Sequence, residues 1–250
     1  IAEQNMIGIA AGMAKEGKTV FVTTYANFLA MRAYEQIRIQ LCYMGLNVKV
    51  VGSGSGLAMG MSGNTHYGIE DLSLMKAIPG LVVISPADGV ETVKTVIKAS
   101  EFDGPVYIRL SGVMNCPVVY TQDYEFTIGK GILLRKGNNV SIIATGTMVY
   151  ESLIAAAILD KQGISSSVVN MHTLKPLDAA IIQEISLHSR LIVTVEEHTI
   201  IGGLGGAVSE YLSGVSGTPR LVKIGLPDMF QTVGDYQYLL KENCLTGPQI

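Results

Sequence analysis

Glu3, the pair Tyr25 and Phe28, and His66 are the side chains whose types and placement could do chemistry in this sequence. A carboxylate, two aromatic rings and an imidazole, each at the edge of an apolar segment, are the parts a site needs to hold a flat basic heterocycle and move protons around it. They lie in Ile1-Ala2-Glu3-Gln4-Asn5-Met6, Tyr25-Ala26-Asn27-Phe28 and Gly63-Asn64-Thr65-His66. Each also has a reading as scaffold. Glu3 falls in the first turn of a helix, where the dipole favours a carboxylate. Tyr25, Phe28 and Met31 recur every three residues, which on an α-helix gives one face and serves a core as well as a ring clamp. His66 follows a glycine-rich loop and precedes Tyr67-Gly68, an exposed setting for a group that titrates near neutrality.

Other motifs carry less. Gly202-Gly203-Leu204-Gly205-Gly206 precedes a helix and could make an anion nest, but it lacks the spacing and first-strand position of a dinucleotide fingerprint. There is no P-loop, no acid-histidine-serine order and no spacing of metal ligands, so no metal site is expected within the chain. Of the remaining histidines, His172 and His188 read as scaffold, and His198 is left without a role.

The elements that must position these residues are those of a large-cored α/β protein. Of 250 residues, 48% are hydrophobic and 16% charged, with a net charge of -3, which leaves no basic footprint for nucleic acid or anionic membrane. Cys42, Cys116 and Cys244 are scattered, which fits a reducing compartment, and no apolar run reaches the length of a membrane span. We therefore expect a cytoplasmic protein. The chain opens without methionine, already inside a helical pattern, and stops at Pro248-Gln249-Ile250, so both ends read as incomplete.

Periodicity predicts helices over residues 2–15, 27–43, 70–75 and 89–100, alternating with strands over 19–23, 48–51, 81–84 and 106–109. Residues 52–63 form a small-residue loop too long to be a mere connector. Residues 113–126 show no periodic face, and we place a domain boundary there, giving 1–118 and 119–250. The second unit repeats the pattern, with strands at 141–144, 167–171, 191–195 and 221–224 and helices at 149–162, 178–188 and through Tyr211. Hydrophobic strands alternating with helices predict two three-layer domains, each a mostly parallel sheet flanked by helices.

The same stretches resemble the C-terminal half of the transketolase and 1-deoxyxylulose-5-phosphate synthase group of thiamine diphosphate enzymes. IAEQNMIGIAAGMA is similar to the glutamate segment of their pyrimidine-binding domain, YANFLAMRAYEQIR to their aromatic clamp helix, and GNTHYGIEDLSLMKAIPGLVVISPAD to their histidine loop and next strand. DGPVYIRLS resembles the end of that domain, while SIIATGTMVYESLIAA, TLKPLDAAII, LIVTVEEHTIIGGLGGAV and VKIGLPDMF resemble the transketolase C-terminal domain.

The resemblance implies roles residue by residue. Glu3 takes the place of the glutamate that hydrogen-bonds the cofactor's N1′, favouring the imino tautomer whose 4′-nitrogen removes the C2 proton and yields the ylid nucleophile. That glutamate must be protonated or share a proton, which burial promotes. Tyr25 and Phe28 fall where the family's aromatics contact the aminopyrimidine, Met31 where transketolases carry another aromatic, and His66 where a histidine faces the substrate's oxygens. Ser62 replaces a hydroxyl-reading aspartate, and Gly54 and Gly112 replace a phosphate-binding histidine and arginine. Each charge-assisted bond lost removes roughly 1.5 to 3 kcal/mol, which weighs against an ordinary phosphorylated donor. Arg109 and Arg32 are the nearby cations that could compensate as substrate anchors.

The family's GDG motif for diphosphate and Mg2+ does not occur in this sequence. The resemblance therefore implies a split enzyme: an N-terminal partner subunit carrying that motif and the metal, and a heterotetramer-like assembly. The expected activity is a transferase of carbohydrate metabolism that moves a two-carbon ketol unit from a ketose to an aldehyde. The alternatives are synthase-like decarboxylation of pyruvate with ligation, a 2-oxo acid dehydrogenase β subunit, and a non-catalytic assembly subunit.

Overall fold

The computed structural model describes residues 1–250. Helix α1 (Glu3–Lys15) buries Ile7, Ala10, Ala11 and Ala14 on one side, and Gly17 turns the chain at a positive φ. Strand β1 (Val20–Tyr25) alternates buried and open residues rather than being wholly buried as expected, because it lies at the edge of its sheet. Phe21 and Tyr25 are consequently exposed on its open side.

The expected α-helix over 27–43 departs most from regularity. It is a π-type turn at Phe28–Arg32, a single α-turn α2 (Tyr34–Gln36) and a second π-type stretch at Ile37–Tyr43. Such widened turns are rare and concentrate at functional sites, because they rotate side chains off the α-helical face.

Strand β2 (Val48–Ser53) follows, then a 3-10 turn at Gly60–Thr65, α3 (Asp71–Ala77), β3 (Val82–Ile84), α4 (Gly89–Glu101) and β4 (Val106–Arg109). Asp88 caps α4, its Oδ1 accepting Glu91 N at 2.8 Å, a contact worth about 1 kcal/mol. Asp88 Oδ2 accepts Val119 N and Tyr120 N at 2.7 and 3.0 Å, and the Tyr124 hydroxyl donates to Glu91 Oε1 at 3.0 Å. The aperiodic stretch between the halves is thus tied to α4 by hydrogen bonds, with Phe126 sharing an apolar cluster with Ala99 of that helix.

The second half comprises β5 (Ile132–Arg135), β6 (Val140–Ala144), α5 (Met148–Lys161), β7 (Ser166–Asn170), β8 (Thr173–Lys175), α6 (Ala179–Ser186), β9 (Leu191–Thr199), α7 (Leu204–Ser213), β10 (Arg220–Leu226) and α8 (Tyr236–Glu242). The sheet orders are β1-β2-β4-β3-β8 and β10-β9-β6-β7-β5. All pairs are parallel except β8 on β3 and β5 on β7. The α/β architecture of two helix-flanked, mostly parallel sheets is as the periodicity predicts.

Beyond the prediction, β8 belongs by sequence to the second half yet completes the first sheet, pairing Lys175 with Val83 and Thr173 with Ile84. The largest apolar cluster likewise joins Ile7, Val50 and Tyr107 to Val169, Leu174 and Ile192. A second cluster packs Leu57, Tyr67 and Ile69, which flank the histidine, against Val195, Leu226 and Leu239. Both clusters span the midpoint, so the halves share their interior. No helix is long and apolar enough to cross a membrane.

Candidate functional site

Glu3 opens α1 and is 3% exposed. Its Oε2 accepts Arg32 Nη1 at 2.9 Å. Burial pushes the carboxyl up, and the Arg32 guanidinium, by hydrogen bond and charge, pulls it down.

Arg32 reaches Glu3 from the π-type turn, and its guanidinium carbon lies 4.3 Å from the centroid of the Phe28 ring. Its carbonyl also accepts Gln4 Nε2 at 3.1 Å, fastening the turn to α1. A flat, delocalised cation therefore stacks on the aromatic and donates to the carboxylate.

Two further rings pack against Phe28. Tyr25 stands edge-on to Phe28 at 5.8 Å, and His66 stands edge-on to Tyr25 at 5.8 Å and to Phe28 at 5.3 Å. The common α-helical face proposed for Tyr25, Phe28 and Met31 does not exist. Tyr25 ends β1, Phe28 begins a π-type turn, and Met31 is half exposed further along it. Tyr25 and Phe28 nonetheless meet, because the chain turns sharply at the end of the strand.

A cleft of about 570 Å³ adjoins this cluster, with Phe28, Met31, Arg32, Thr65, Glu70 and Phe230 in its wall. Glu3 lies behind Arg32 and does not line it. Ser62, exposed in the 3-10 turn, also lies outside that wall. Glu70 and Phe230 were not foreseen: Glu70, four residues after His66, has a carboxyl raised by burial and then by the neighbouring Asp71. Phe230 comes from the far end of the chain, and no local spacing marks it. A second open cleft, about 550 Å³ between α4 and residues 124–128, has its lysines engaged, Lys94 by Asp123 and Lys98 by Glu101. It holds none of the constellation, so the candidate site is the first cleft.

Arg109 requires a correction. It is 4% exposed, with Nε on both oxygens of Asp71 at 3.0 and 3.1 Å and Nη2 on the carbonyls of Gly68 and Glu197 at 3.0 and 2.9 Å. A guanidinium so engaged joins the halves and has no face to offer a substrate. Arg32, half exposed and in the cleft wall, is the accessible cation of the two. Gly54 has φ 63°, and a Cβ there would lie 3.1 Å from Met59 Cγ and 3.2 Å from Tyr25 Cδ1. A side chain at 54 would therefore press on the ring cluster.

The glycine-rich run before α7 is also resolved. The anion at that helix terminus is the chain's own Glu196, which accepts Leu204 N at 2.7 Å and Gly205 N at 2.8 Å and is pushed up to about 7 by burial. His198 is buried and lowered to about 4, its Nδ1 donating to Thr199 O at 2.7 Å and its Nε2 accepting Ser73 N at 3.3 Å. His172 is buried in a stack on Phe126 at 4.3 Å, and His188 is exposed. No group of three or more His, Cys, Asp or Glu converges as a metal would require.

Comparison with known proteins places these features. Residues 1–113 match the family model of the transketolase pyrimidine-binding domain, and residues 129–250 that of the transketolase C-terminal domain. A Methanocaldococcus jannaschii protein with the provisional name of transketolase C-terminal section is 42% identical, over 100% of this chain and 78% of its own length. The 6-deoxy-6-sulfo-D-fructose transketolase subunit of Clostridium sp. strain MSTE9 is 41% identical, over 100% of this chain and 77% of its own length. Among solved structures, one described as a split-gene transketolase in an inactive β4 tetramer superposes with a TM-score of 0.88 at 41% identity, covering 100% of this chain and 79% of that one.

Proposed function

The chain belongs to the transketolase family, and from that premise we propose that it is one subunit of a split transketolase-like enzyme that moves a two-carbon ketol unit from a ketose to an aldehyde. Thiamine diphosphate, when bound, supplies the carbon nucleophile for that transfer. The observation that carries the reading is the arrangement of Arg32 between Glu3 and Phe28. A planar group that donates N–H to a carboxylate while stacked on an aromatic face makes the two contacts an aminopyrimidine needs, so the residues present fit that half of the cofactor.

In this reading Arg32 would swing aside, Phe28 would hold the aminopyrimidine with Tyr25 and Met31 beside it, and Glu3 would bond its ring nitrogen. With the arginine moved away, the carboxyl loses a cationic partner and its affinity for a proton rises, which lets it share one with the ring nitrogen. His66 stands 5.3 Å from Phe28, ring to ring, close enough for its imidazole to reach the oxygens of a substrate placed over that face. Ser62 sits in the turn leading to His66 and offers a neutral hydroxyl to the donor. The related subunits named for 6-deoxy-6-sulfo-D-fructose and apulose-4-phosphate support a modified ketose as donor.

We assign residues 1–118 to the pyrimidine half-site and 119–250 to the C-terminal domain. An N-terminal partner subunit would supply the diphosphate and Mg2+ sites in a heterotetramer. The inactive β4 assembly of the related split-gene protein supports dependence on such a partner.

The test is titration of thiamine diphosphate with Mg2+ into this chain, its partner and their mixture, with Glu3→Gln alongside. Tight binding confined to the mixture, and loss of C2 proton exchange in Glu3→Gln with assembly intact, are expected. Normal exchange in Glu3→Gln would remove Glu3 from the mechanism.

A further inference from the structure

We propose that residues 229–234, in the second half of the chain, hold the histidine segment 60–67 in register, with Asn64 as the positioning residue for His66. The proposal rests on the reading above that His66 meets the substrate.

Asn64 pairs with the backbone of Gln231 in both directions. Its Nδ2 donates to Gln231 O at 2.7 Å and its Oδ1 accepts Gln231 N at 2.8 Å, across 167 residues of sequence. A side-chain amide thus takes the part of a neighbouring strand, and two opposed bonds fix its plane as one would not. Tyr67, on the other side of His66, places its hydroxyl between Gly60 O at 2.9 Å and Thr232 O at 2.8 Å, sharing one proton between the segments. Gly60 permits the approach, since a Cβ there would overlap the Gly234 carbonyl oxygen.

From the opposite side, Asn27 Nδ2 donates to Thr65 O at 2.8 Å. Thr65 Oγ1 lies 2.9 Å from His66 Nδ1 and 3.3 Å from Ser62 O. The backbone on either side of His66 is therefore fastened, and the threonine hydroxyl sets the rotation of the ring.

The burial pattern separates this role from general scaffolding. Tyr67 and Ile69 are buried and belong to the shared core, whereas Asn64 and Thr65 are exposed and lie outside it. The Asn64–Gln231 bonds are only part-buried, so their contribution to stability is modest while they give direction. Its effect is on where His66 stands beside Phe28 and Tyr25, at 5.3 and 5.8 Å.

The experiment compares Asn64→Ala and Asn64→Asp. Asp keeps the acceptor for Gln231 N but sets a carboxylate oxygen against Gln231 O, so a positioning role predicts that this near-isostere fails as Ala does. The first readout is the His66 ring signal in spectra of the chain labelled at its four histidines and assigned with His66→Gln. Ring currents from Phe28 and Tyr25 shift that signal, and both variants should bring it to the position of exposed His188 while leaving the other three unmoved. In the partner-assembled enzyme, kcat should fall about ten- to a hundredfold with thiamine diphosphate affinity unchanged. The melting temperature should stay within about 4 °C of the parent.

A His66 signal unmoved in both variants overturns the proposal, as does a collapse of all four signals together with the melting temperature. A shifted His66 with full turnover leaves the clamp standing and refutes the substrate role of His66, as would normal turnover in His66→Ala.

Discussion

Replacing Arg109 by methionine separates its two readings, the substrate anchor suggested by sequence and the buried keystone of the fold. The side chain is 4% exposed and its partner Asp71 is 0% exposed. Removing the guanidinium leaves Asp71 with the Tyr107 hydroxyl, at 2.7 Å, as its remaining side-chain donor, and takes one donor each from the carbonyls of Gly68, which keeps Gly56 N at 2.7 Å, and Glu197. Breaking a buried pair from one side costs about 3 to 5 kcal/mol, because the uncompensated charge stays in a poor solvent. For a chain of this size that is roughly 6 to 20 °C in melting temperature. Arg109→Lys keeps the charge but cannot reach four acceptors at once, so it should fall between parent and methionine. Asp71→Leu combined with Arg109→Met should recover part of the loss, since the lone carboxylate goes while the arginine's bonds to the two carbonyls stay lost. Thermal and urea unfolding at one fixed chain concentration measure all four proteins. A raised KM for the sugar with an unchanged melting temperature in Arg109→Met would refute the keystone and restore the anchor.

Arg32→Ala removes a cation stacked on Phe28 and paired with Glu3, contacts worth about 1 kcal/mol together at a half-exposed position. Thiamine diphosphate should bind the assembled enzyme roughly fivefold more tightly, read by calorimetric titration, whereas weaker binding would make Arg32 a contact of the ring rather than its competitor. His172 is lowered by burial from 6.5 to about 4, so the unfolded chain binds more protons between those values and stability falls as the pH drops through that window. The contribution reaches about 3 kcal/mol below pH 4, and His172→Phe should flatten the urea-unfolding free energy between pH 6.5 and 4 by about that amount. His198 keeps its slope in the same direction and Glu196 the opposite slope between its values of 4.5 and about 7, so the difference between the two proteins isolates His172.

Much of the architecture is legible because fully buried strands such as Val106–Arg109 read as unbroken apolar runs, and because glycines or capping aspartates bound the helices. β8 is three residues long and β5 only partly buried, so neither has a periodicity to read. Their strand character comes from the neighbours β3 and β7 that they pair with. Glu3, Tyr25, Phe28 and His66 stood out by residue type and by their places at element edges, and three of them form one ring cluster. Arg109 misled because a guanidinium beside a candidate site has the same sequence signature whether it faces solvent or Asp71. Phe230 and Gln231 reach the histidine segment from beyond β10, and nothing local announces contacts across 167 residues.

That long reach also bears on why the two domains stay on one chain. The carboxylate and the aromatics rest on α1, β1 and the π-type turn, all within the first sheet, so they could in principle be held by the first half alone. His66 could not. Its segment packs through Tyr67 and Ile69 into the core under β9 and α8, its backbone is pinned by Gln231 and Thr232, and the Gly68 carbonyl that follows is bonded by an arginine also bonded to Glu197. In the proposed reaction the cofactor ring and the sugar must keep their relation while a carbon–carbon bond breaks, and an error of about 1 Å between the groups that hold them costs about a hundredfold in rate. Building Glu3 and Phe28 on one sheet and anchoring His66 to the other demands that the sheets not slide. The apolar cluster common to both halves and the insertion of β8 beside β3 supply that rigidity.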